Sequence, residues 1–266
     1  MIVSLENVSK SFPVAGGPPL QVLDNFSCEV AEQEFLCVVG PSGCGKSTLL
    51  TMLGGLEKPT AGVIRFSGER TASGPLTTIV WQDYALIPWR SVLDNVSFGL
   101  EVMGMPRKER KAEAMRSLRL MGIEGFDQHY PHQLSGGMRQ RVGIARALTN
   151  NPEMLLMDEP FGALDAQTRM VLQDELTALW MRDRKTVLFI THSIEEALLL
   201  GDRVLVLSPR PARILEEIKV PFPRPRSLDV ERDPRFTELR LHIWGLLKQG
   251  VEKARINTEP SHAGAH

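Results

Sequence analysis

Hydrophobic and polar residues are interspersed over the first part of the chain in a way that predicts strands. Ile2, Leu5 and Val8 lie among polar neighbours, which indicates a half-buried strand over residues 1–12. A loop rich in Pro and Gly follows, and residues 21–30 form a second expected strand. We expect these two strands to pair in an antiparallel layer.

Short apolar runs later in the chain predict further strands, because a strand that is covered on both faces is apolar at nearly every position. These strands are expected at residues 35–39, 63–66, 77–81, 155–157, 186–190 and 203–207, and residues 213–220 are interpreted as a last strand. Residues 92–151 differ, since their apolar positions recur at helical spacing. Strands alternating with helical segments predict an α/β fold.

The remaining segments are predicted from their periodicity and their Pro content. Residues 107–119 carry six Lys or Arg against two Glu, which is typical of a solvated amphipathic helix. Helices are also expected at residues 172–181, 195–200 and 236–247, with a Pro-rich extended run at 221–226 and a loose tail at 259–266.

A glycine-rich loop lies between the apolar run at residues 35–39 and the next apolar segment. It consists of Gly40, Pro41, Ser42, Gly43, Cys44, Gly45, Lys46, Ser47 and Thr48. Its spacing matches the P-loop pattern, in which backbone N–H groups surround phosphate oxygens. A helix beginning near Lys46 directs its positive end at the same anion. Lys46 can reach the β- and γ-phosphates, and the Ser47 hydroxyl can bind Mg²⁺. The loop predicts a nucleoside triphosphate site.

Length, charge and cysteine content limit the remaining function classes. The 266 residues suffice for one large α/β domain, and a net charge of −1 gives no support for a nucleic-acid partner. Cys28, Cys37 and Cys44 form no metal-binding or disulfide pattern, which suits a reducing compartment. We see no signal peptide and expect no transmembrane helix. If the protein works at a membrane, another molecule must hold it there.

Two acidic residues end one of the expected buried strands. Asp158 and Glu159 follow the apolar residues 155–157, in the arrangement known as Walker B. Asp158 would bind Mg²⁺, and Glu159 would act on the attacking water. Paired acids at a strand end are also common on surfaces, but a P-loop earlier in the chain favours the catalytic interpretation.

A second helix N-terminus with the chemistry to bind an anion begins near Ser135. Ser135 can cap the helix, while Gly136 and Gly137 leave backbone N–H groups exposed. A plain N-cap followed by glycines remains an equal alternative.

Three single residues are weaker candidates. Gln82 follows a strand and could bind Mg²⁺ or orient water, although strand ends are commonly polar. His192 lies at the carboxyl end of a strand, where α/β proteins bind ligands, yet a lone histidine is usually structural. Phe12 could stack on a purine, or belong to the core or its rim.

Taken together, these motifs resemble the ATP-binding-cassette (ABC) ATPases over residues 1–207. Each motif of that family occurs once and in the family's order. The motifs are Phe12 (A-loop), Gly40–Thr48 (Walker A), Gln82 (Q-loop), Leu134–Met138 (signature), Asp158 and Glu159 (Walker B), Ala163–Asp165 (D-loop) and His192 (switch). The signature distinguishes this family from other P-loop ATPases, which lack it. Met138 replaces the usual glutamine, and Phe12 the more common tyrosine.

The resemblance implies a RecA-like P-loop core, an antiparallel β layer and an inserted helical subdomain at about residues 92–151. It implies a cassette over residues 1–208 and a short C-terminal extension with a helix at 209–266. It also implies that two copies close head to tail on ATP and Mg²⁺, with the signature of one copy facing Walker A of the other. Asp165 would couple the two sites, and His192 would contact the γ-phosphate. Gln82, in a mobile loop, would sense Mg²⁺ and the γ-phosphate.

A finer resemblance links residues 86–96 and 220–226 to bacterial nitrate/sulfonate/taurine-type importer ATPases. It implies separate transmembrane permease subunits, a solute-binding protein outside the cell, and peripheral attachment at the cytoplasmic face of the inner membrane. Trp89 is then a candidate permease contact, with a core tryptophan as the equal alternative. Two other functions compete. A soluble ABC protein of DNA repair or translation usually has a long coiled coil or two cassettes, and a P-loop kinase would not explain Leu134–Met138.

Overall fold

The computed structural model describes residues 2–69 and 73–258, with side chains as far as residue 253. Nine strands and eight α-helices are seen in these residues. The strands are β1 (Ile2–Phe12), β2 (Leu20–Val30), β3 (Phe35–Val39), β4 (Ala61–Ser67), β5 (Thr77–Val80), β6 (Met154–Asp158), β7 (Thr186–Thr191), β8 (Arg203–Leu207) and β9 (Ile214–Lys219). The helices are α1 (Lys46–Leu53), α2 (Val92–Val96), α3 (Phe98–Val102), α4 (Arg107–Leu120), α5 (Gly136–Thr149), α6 (Ala166–Arg182), α7 (Ile194–Leu200) and α8 (Pro234–Thr258).

The strands form two sheets, one mostly parallel and one antiparallel. The six-stranded sheet has the order β5-β6-β7-β3-β8-β9, in which only β9 runs antiparallel to its neighbour. The three-stranded sheet has the order β2-β1-β4 and is antiparallel. The expected pairing of the first two strands is therefore confirmed, and the glycine-rich loop follows a central strand.

The central strands separate two hydrophobic clusters. On β3, Phe35, Cys37 and Val39 face one cluster, whereas Leu36 and Val38 face the other. The same alternation holds on β6, β7 and β8, because successive side chains of a strand point to opposite faces. The first cluster also receives the helical segment 92–149, and the second receives α1 and the antiparallel sheet. Strands buried on both faces hold their carboxyl ends in fixed positions.

The helical segment between β5 and β6 is confirmed as helical, with α2 to α5 packed on one another. Two helices are longer than expected: α8 continues to Thr258 rather than ending near residue 247, and α6 begins at Ala166 rather than near residue 172. Asp165 is its N-cap and accepts a hydrogen bond from the Thr168 N–H at 3.0 Å, so the helix starts directly after the D-loop. The tail expected at residues 259–266 lies outside the described residues.

The C-terminal segment packs back on the sheet. Phe222 and Phe236 lie 5.9 Å apart between ring centroids and belong to the first cluster. Arg224 contacts Trp180 face-on at 4.3 Å, and Arg226 donates to carbonyls at the end of α7. In the described part of the chain, every helix is too short or too polar to cross a bilayer.

Candidate functional site

The glycine-rich loop has the conformation that a P-loop needs. β3 ends at Val39, α1 begins at Lys46, and Gly43 and Gly45 have φ of 72° and 122°. A Cβ on Gly45 would lie 2.8 Å from Val22 Cγ1, so that position requires glycine in conformation and in space. The Cys44 thiol is buried in the loop, which raises its pKa. The loop is therefore held between the central strand and β2.

Lys46 is buried, with 5% of its surface exposed. Its Nζ donates to the carbonyl oxygens of Gly40 (2.8 Å) and Pro41 (3.2 Å), and lies 3.8 Å from Glu159 Oε1. These oxygens neutralise the ammonium group where water is largely excluded. A phosphate would offer the ammonium group the same kind of charge-assisted contact. Because Lys46 is already buried with oxygen partners, phosphate binding exchanges these partners and does not bury an additional charge.

Ser47 and Asp158 lie together below the loop. The Ser47 hydroxyl donates to Asp158 Oδ1 at 3.2 Å. Burial raises the pKa of Asp158, and the charge of Glu159 acts in the same direction, while the hydrogen bond from Ser47 opposes it. A buried carboxylate beside a second one favours a cation. Hydroxyl and carboxylate oxygens are ligands that Mg²⁺ accepts.

Glu159 joins the loop to the next strand. Its φ is 43°, which is uncommon for a residue other than glycine, and its N–H donates to the Ile190 carbonyl at 2.9 Å. Its Oε2 lies 2.8 Å from His192 Nδ1, while Oε1 faces Lys46. His192 itself is exposed over 56% of its side chain, so it can still meet a ligand. One carboxylate thus contacts two predicted site residues.

Gln82 lies across from Glu159 and is tied to the helical segment. A Cβ built on Gly162 would lie 3.5 Å from Gln82 Nε2 and 3.7 Å from Glu159 Oε2. The backbone after Gln82 accepts hydrogen bonds from Arg146 of α5, at the carbonyls of Tyr84 (2.8 Å) and Ala85 (2.6 Å). A movement of Gln82 would therefore reach α5 through Arg146.

A cleft of about 430 Å³ collects most of these groups. It is lined by Val22, Ser42, Gly43, Gly45, Lys46, Ser47, Thr48, Gln82, Glu159 and Arg210. Phe12 is not among these lining residues. Its ring is half-buried against the second hydrophobic cluster, and the Lys10 ammonium lies 4.7 Å from its centroid.

The signature and the D-loop form a separate neighbourhood, and none of their residues is among those lining the cleft. Ser135 caps α5, accepting from the Met138 N–H at 3.3 Å, which confirms the predicted cap. Gly136 lies close to Leu164, and a Cβ on Gly137 would approach Thr168 Cγ2 to 2.6 Å. Hydrogen bonds from Thr168 hold the Asp165 carboxylate and lower its pKa. Ser135 and Asp165 are exposed.

Two residues near the site were missed by the sequence analysis. Arg210 lines the cleft from the loop after β8. Its position at the cleft could have been expected from the sequence, because β8 is parallel to β3 and the carboxyl ends of the two strands lie at one edge of the sheet. Glu196 is buried behind His192 and accepts from Thr191 Oγ1 (2.5 Å) and Gln173 Nε2 (3.0 Å). No local sequence pattern distinguishes it from other helical glutamates.

Trp89 is 77% exposed, so the interpretation as a core tryptophan is wrong. It follows the Q-loop and precedes α2. Other apolar side chains are also exposed in the described residues that flank this region, namely Leu56, Val102 and Met103. Leu56, Val102 and Met103 line a groove of about 520 Å³ together with Trp81, Phe98 and Arg146.

Comparison with known proteins identifies the family and the fold. The model of the family described as ABC transporter matches residues 23–162, which span the P-loop, the signature and the Asp158–Glu159 pair. The chain belongs to the ABC transporter family. Both the sequence-based assignment to this family and the P-loop α/β fold class are thereby confirmed.

Several relatives are similar to this ABC protein over nearly its whole length. An uncharacterized ABC transporter ATP-binding protein of Methanocaldococcus jannaschii is 49% identical, covering 95% of this chain and 93% of the relative. A taurine import ATP-binding protein of Rhizobium johnstonii is 44% identical, with coverages of 92% and 96%. A bicarbonate transport ATP-binding protein of Synechocystis is 46% identical, with coverages of 90% and 86%.

A solved structure agrees with this assignment. The dimeric post-hydrolysis state of an ATP-binding cassette bound to ADP and Pi has a TM-score of 0.73 and 35% identity, covering 83% of this chain and 99% of the other. The ABC protein described here is therefore an ATP-binding ATPase whose hydrolysis is coupled to transport, and the predicted enzyme class is confirmed.

Proposed function

We propose that this ABC ATPase energises an importer of a small anionic solute such as nitrate, a sulfonate or taurine. The observation that supports ATP hydrolysis most directly is the double contact of Glu159, which meets Lys46 on one side and His192 on the other. Support for import of an anion comes from relatives named for taurine import and bicarbonate transport. We also propose that the chain consists of an ATPase cassette over residues 1–208 and a short C-terminal extension over residues 209–266.

Mg²⁺ fits the oxygen ligands of this site. Within the described residues, no cluster of three or more His, Cys, Asp or Glu side chains is placed to hold a metal. A magnesium ion here would therefore take part of its coordination from phosphates, as is usual for this ion. Ser47, Asp158 and Gln82 would hold it, Asp158 through water. When bound, the ion neutralises charge on the β- and γ-phosphates.

The residues around the γ-phosphate then have separate tasks. Lys46 leaves the carbonyls of Gly40 and Pro41 and binds the β- and γ-phosphates. The backbone of residues 40–48 surrounds the phosphate chain. Glu159 accepts a proton from the attacking water or orients it, and His192 contacts the γ-phosphate. Phe12 stacks on the adenine ring with the face that Lys10 leaves free.

A second copy of the chain completes the site. Ser135 and Asp165 are exposed outside the cleft, so in a single chain they have no phosphate to bind. A head-to-tail pair with two-fold symmetry brings Ser135, Gly136 and Gly137 of one copy to the nucleotide of the other. ATP closes the dimer, and hydrolysis reopens it. Asp165 couples the two sites across the interface.

The apolar groove beside the Q-loop is the surface that we assign to the permease. Val102 and Met103 line the groove and are exposed, and Arg146 connects it to the backbone after Gln82. Trp89 is exposed between the Q-loop and α2, and we include it in the same surface. A short cytoplasmic helix of a transmembrane subunit would occupy it. Nucleotide-dependent movement of Gln82 would then reach the permease. Such a complex places the chain at the cytoplasmic face of the inner membrane, with a solute-binding protein on the other side.

The test is reconstitution with candidate permease subunits and solute-binding proteins from the same organism. We expect co-purification, and ATPase activity that rises when the binding protein carries its solute. Trp89→Ala should lower the stimulated activity relative to the basal one. Trp244→Ala, at an exposed tryptophan on α8, is the matched control. Absence of co-purification and of stimulation would contradict the proposal.

A further inference from the structure

Arg210 lines the cleft that contains Lys46, and no residue in the described part of the chain is paired with it. It is exposed, and among the described residues no hydrogen bond, ion pair or ring contact engages its guanidinium. Neighbouring arginines behave differently, since Arg213 pairs with Asp24 and Arg203 pairs with Glu34. A guanidinium without a partner, lining the same cleft as Lys46, is suited to bind an anion from outside the chain.

The loop that carries Arg210 is fixed against β2. The Ala212 N–H donates to the Val22 carbonyl at 2.8 Å, and the Asp24 N–H donates to the Ala212 carbonyl at 3.1 Å. Arg213 Nε donates to Asp24 Oδ2 at 3.0 Å. Ser208 Oγ accepts from the Arg213 N–H at 3.0 Å, which closes the loop on itself. Arg210 therefore projects from a braced turn, so little backbone ordering opposes its use in binding.

The position of this loop indicates which part of the nucleotide it meets. Val22, which holds Ala212, is also the residue that packs against Gly45 in the glycine-rich loop. The backbone of such a loop surrounds the α- and β-phosphates, whereas the γ-phosphate lies toward the catalytic carboxylate and the switch histidine. Arg210 is carried by a loop that is hydrogen-bonded to Val22, whereas Glu159 follows β6 and contacts His192.

We propose that Arg210 binds the part of the nucleotide that ATP and ADP share, at the α- and β-phosphates. The proposal rests on the cleft being the ATP site, and it adds a ligand from outside the glycine-rich loop. A guanidinium can contact two phosphate oxygens at once, which lysine cannot do in the same geometry. Because the contact is present before and after hydrolysis, it contributes to affinity and not to the barrier of the chemical step.

Titration of the wild-type chain and of Arg210→Gln with ATP and with ADP tests this directly. We expect both affinities to fall by the same factor, about 5- to 20-fold at low salt, as for loss of one exposed charge-assisted contact. Added salt should shrink the factor. Arg210→Lys should lie between the two. KM for ATP should rise by the same factor, while kcat changes much less. Arg119→Gln removes the same charge from an exposed site on α4 and should leave both affinities unchanged.

The other outcomes overturn the proposal in distinguishable ways. If the wild type binds ATP and ADP and Arg210→Gln binds them equally well, Arg210 is not a ligand, although the ATP site stands. If only ATP-dependent dimerisation weakens while ADP affinity is kept, Arg210 acts between two copies. If the wild type binds neither nucleotide, the assignment of the cleft is itself wrong.

Discussion

Replacing Glu159 by glutamine should nearly abolish ATP hydrolysis while leaving ATP binding intact. The amide has the same shape as the carboxylate, and its oxygen can still lie near Lys46, but it cannot accept a proton from water. Removal of a general base costs roughly 10²- to 10⁴-fold in rate. That range corresponds to about 3–5.5 kcal/mol on the barrier.

The effect on binding has the opposite sign. Glu159 Oε1 and Lys46 Nζ lie 3.8 Å apart, and two unit charges at that distance attract by about 4 kcal/mol at an effective dielectric constant of 20. Glutamine removes this attraction and also removes a negative charge beside the γ-phosphate. Lys46 is then easier to recruit, so ATP affinity should be equal to that of the wild type or tighter.

Phosphate release and equilibrium titration with ATP, made on the same preparation, measure the two effects separately. Glu113→Gln is the matched control, since Glu113 pairs only with Arg116 on the outer face of α4 among the described residues. Turnover within about tenfold of the wild type would remove Glu159 from its assigned role, because a lost base costs more. Loss of ATP binding would instead show that the Glu159 carboxylate is needed to hold the glycine-rich loop in its binding conformation before ATP arrives.

Two further predictions concern groups on either side of Glu159. Lys46→Ala should lose nucleotide affinity, because the buried ammonium is the cation nearest Glu159 in the cleft, and unchanged ATP binding by calorimetry would contradict the phosphate assignment. Glu196 has its pKa raised by burial, partly offset by the bond from Thr191, by Arg169 and by His192. The folded protein therefore keeps the Glu196 carboxyl group protonated at pH values above its ordinary pKa of 4.5, at which the unfolded chain already loses the proton. The free energy of unfolding then falls as the pH rises from 4.5 through the raised pKa of the folded state. Glu196→Gln should remove this decline in urea unfolding midpoints, and equal slopes in both proteins would contradict the assignment.

Much of this site could be predicted because its residues follow the carboxyl ends of parallel strands. β3, β6 and β7 end at the glycine-rich loop, at Asp158 and just before His192, and apolar runs reveal all three strands in the sequence. Motif spacing then places Lys46 and Ser47 within each motif. Contact between Glu159 and His192 follows from the adjacency of β6 and β7.

Residues whose role depends on long-range packing could not be predicted in the same way. The parallel strand β8 places Arg210 at the same edge of the sheet as the glycine-rich loop, but the hydrogen bonds between Val22 and Ala212 that dock its loop on β2 leave no mark in the sequence near residue 210. Glu196 is distinguished only by burial against Thr191 and Gln173. The early start of α6 was missed because Asp165 was interpreted by its motif, although Asp is also a favoured N-cap.

The central claim is that two copies of this chain share each ATP. Sedimentation of Glu159→Gln with ATP and Mg²⁺ tests it most directly. The account predicts a species of twice the 29.6 kDa chain mass with ATP and the monomer with ADP. It also predicts the monomer with ATP when Gly137→Val is added, because the new side chain would fill the signature surface and collide with Thr168. A monomer under all conditions, or a dimer that ignores nucleotide and Gly137 alike, would contradict it.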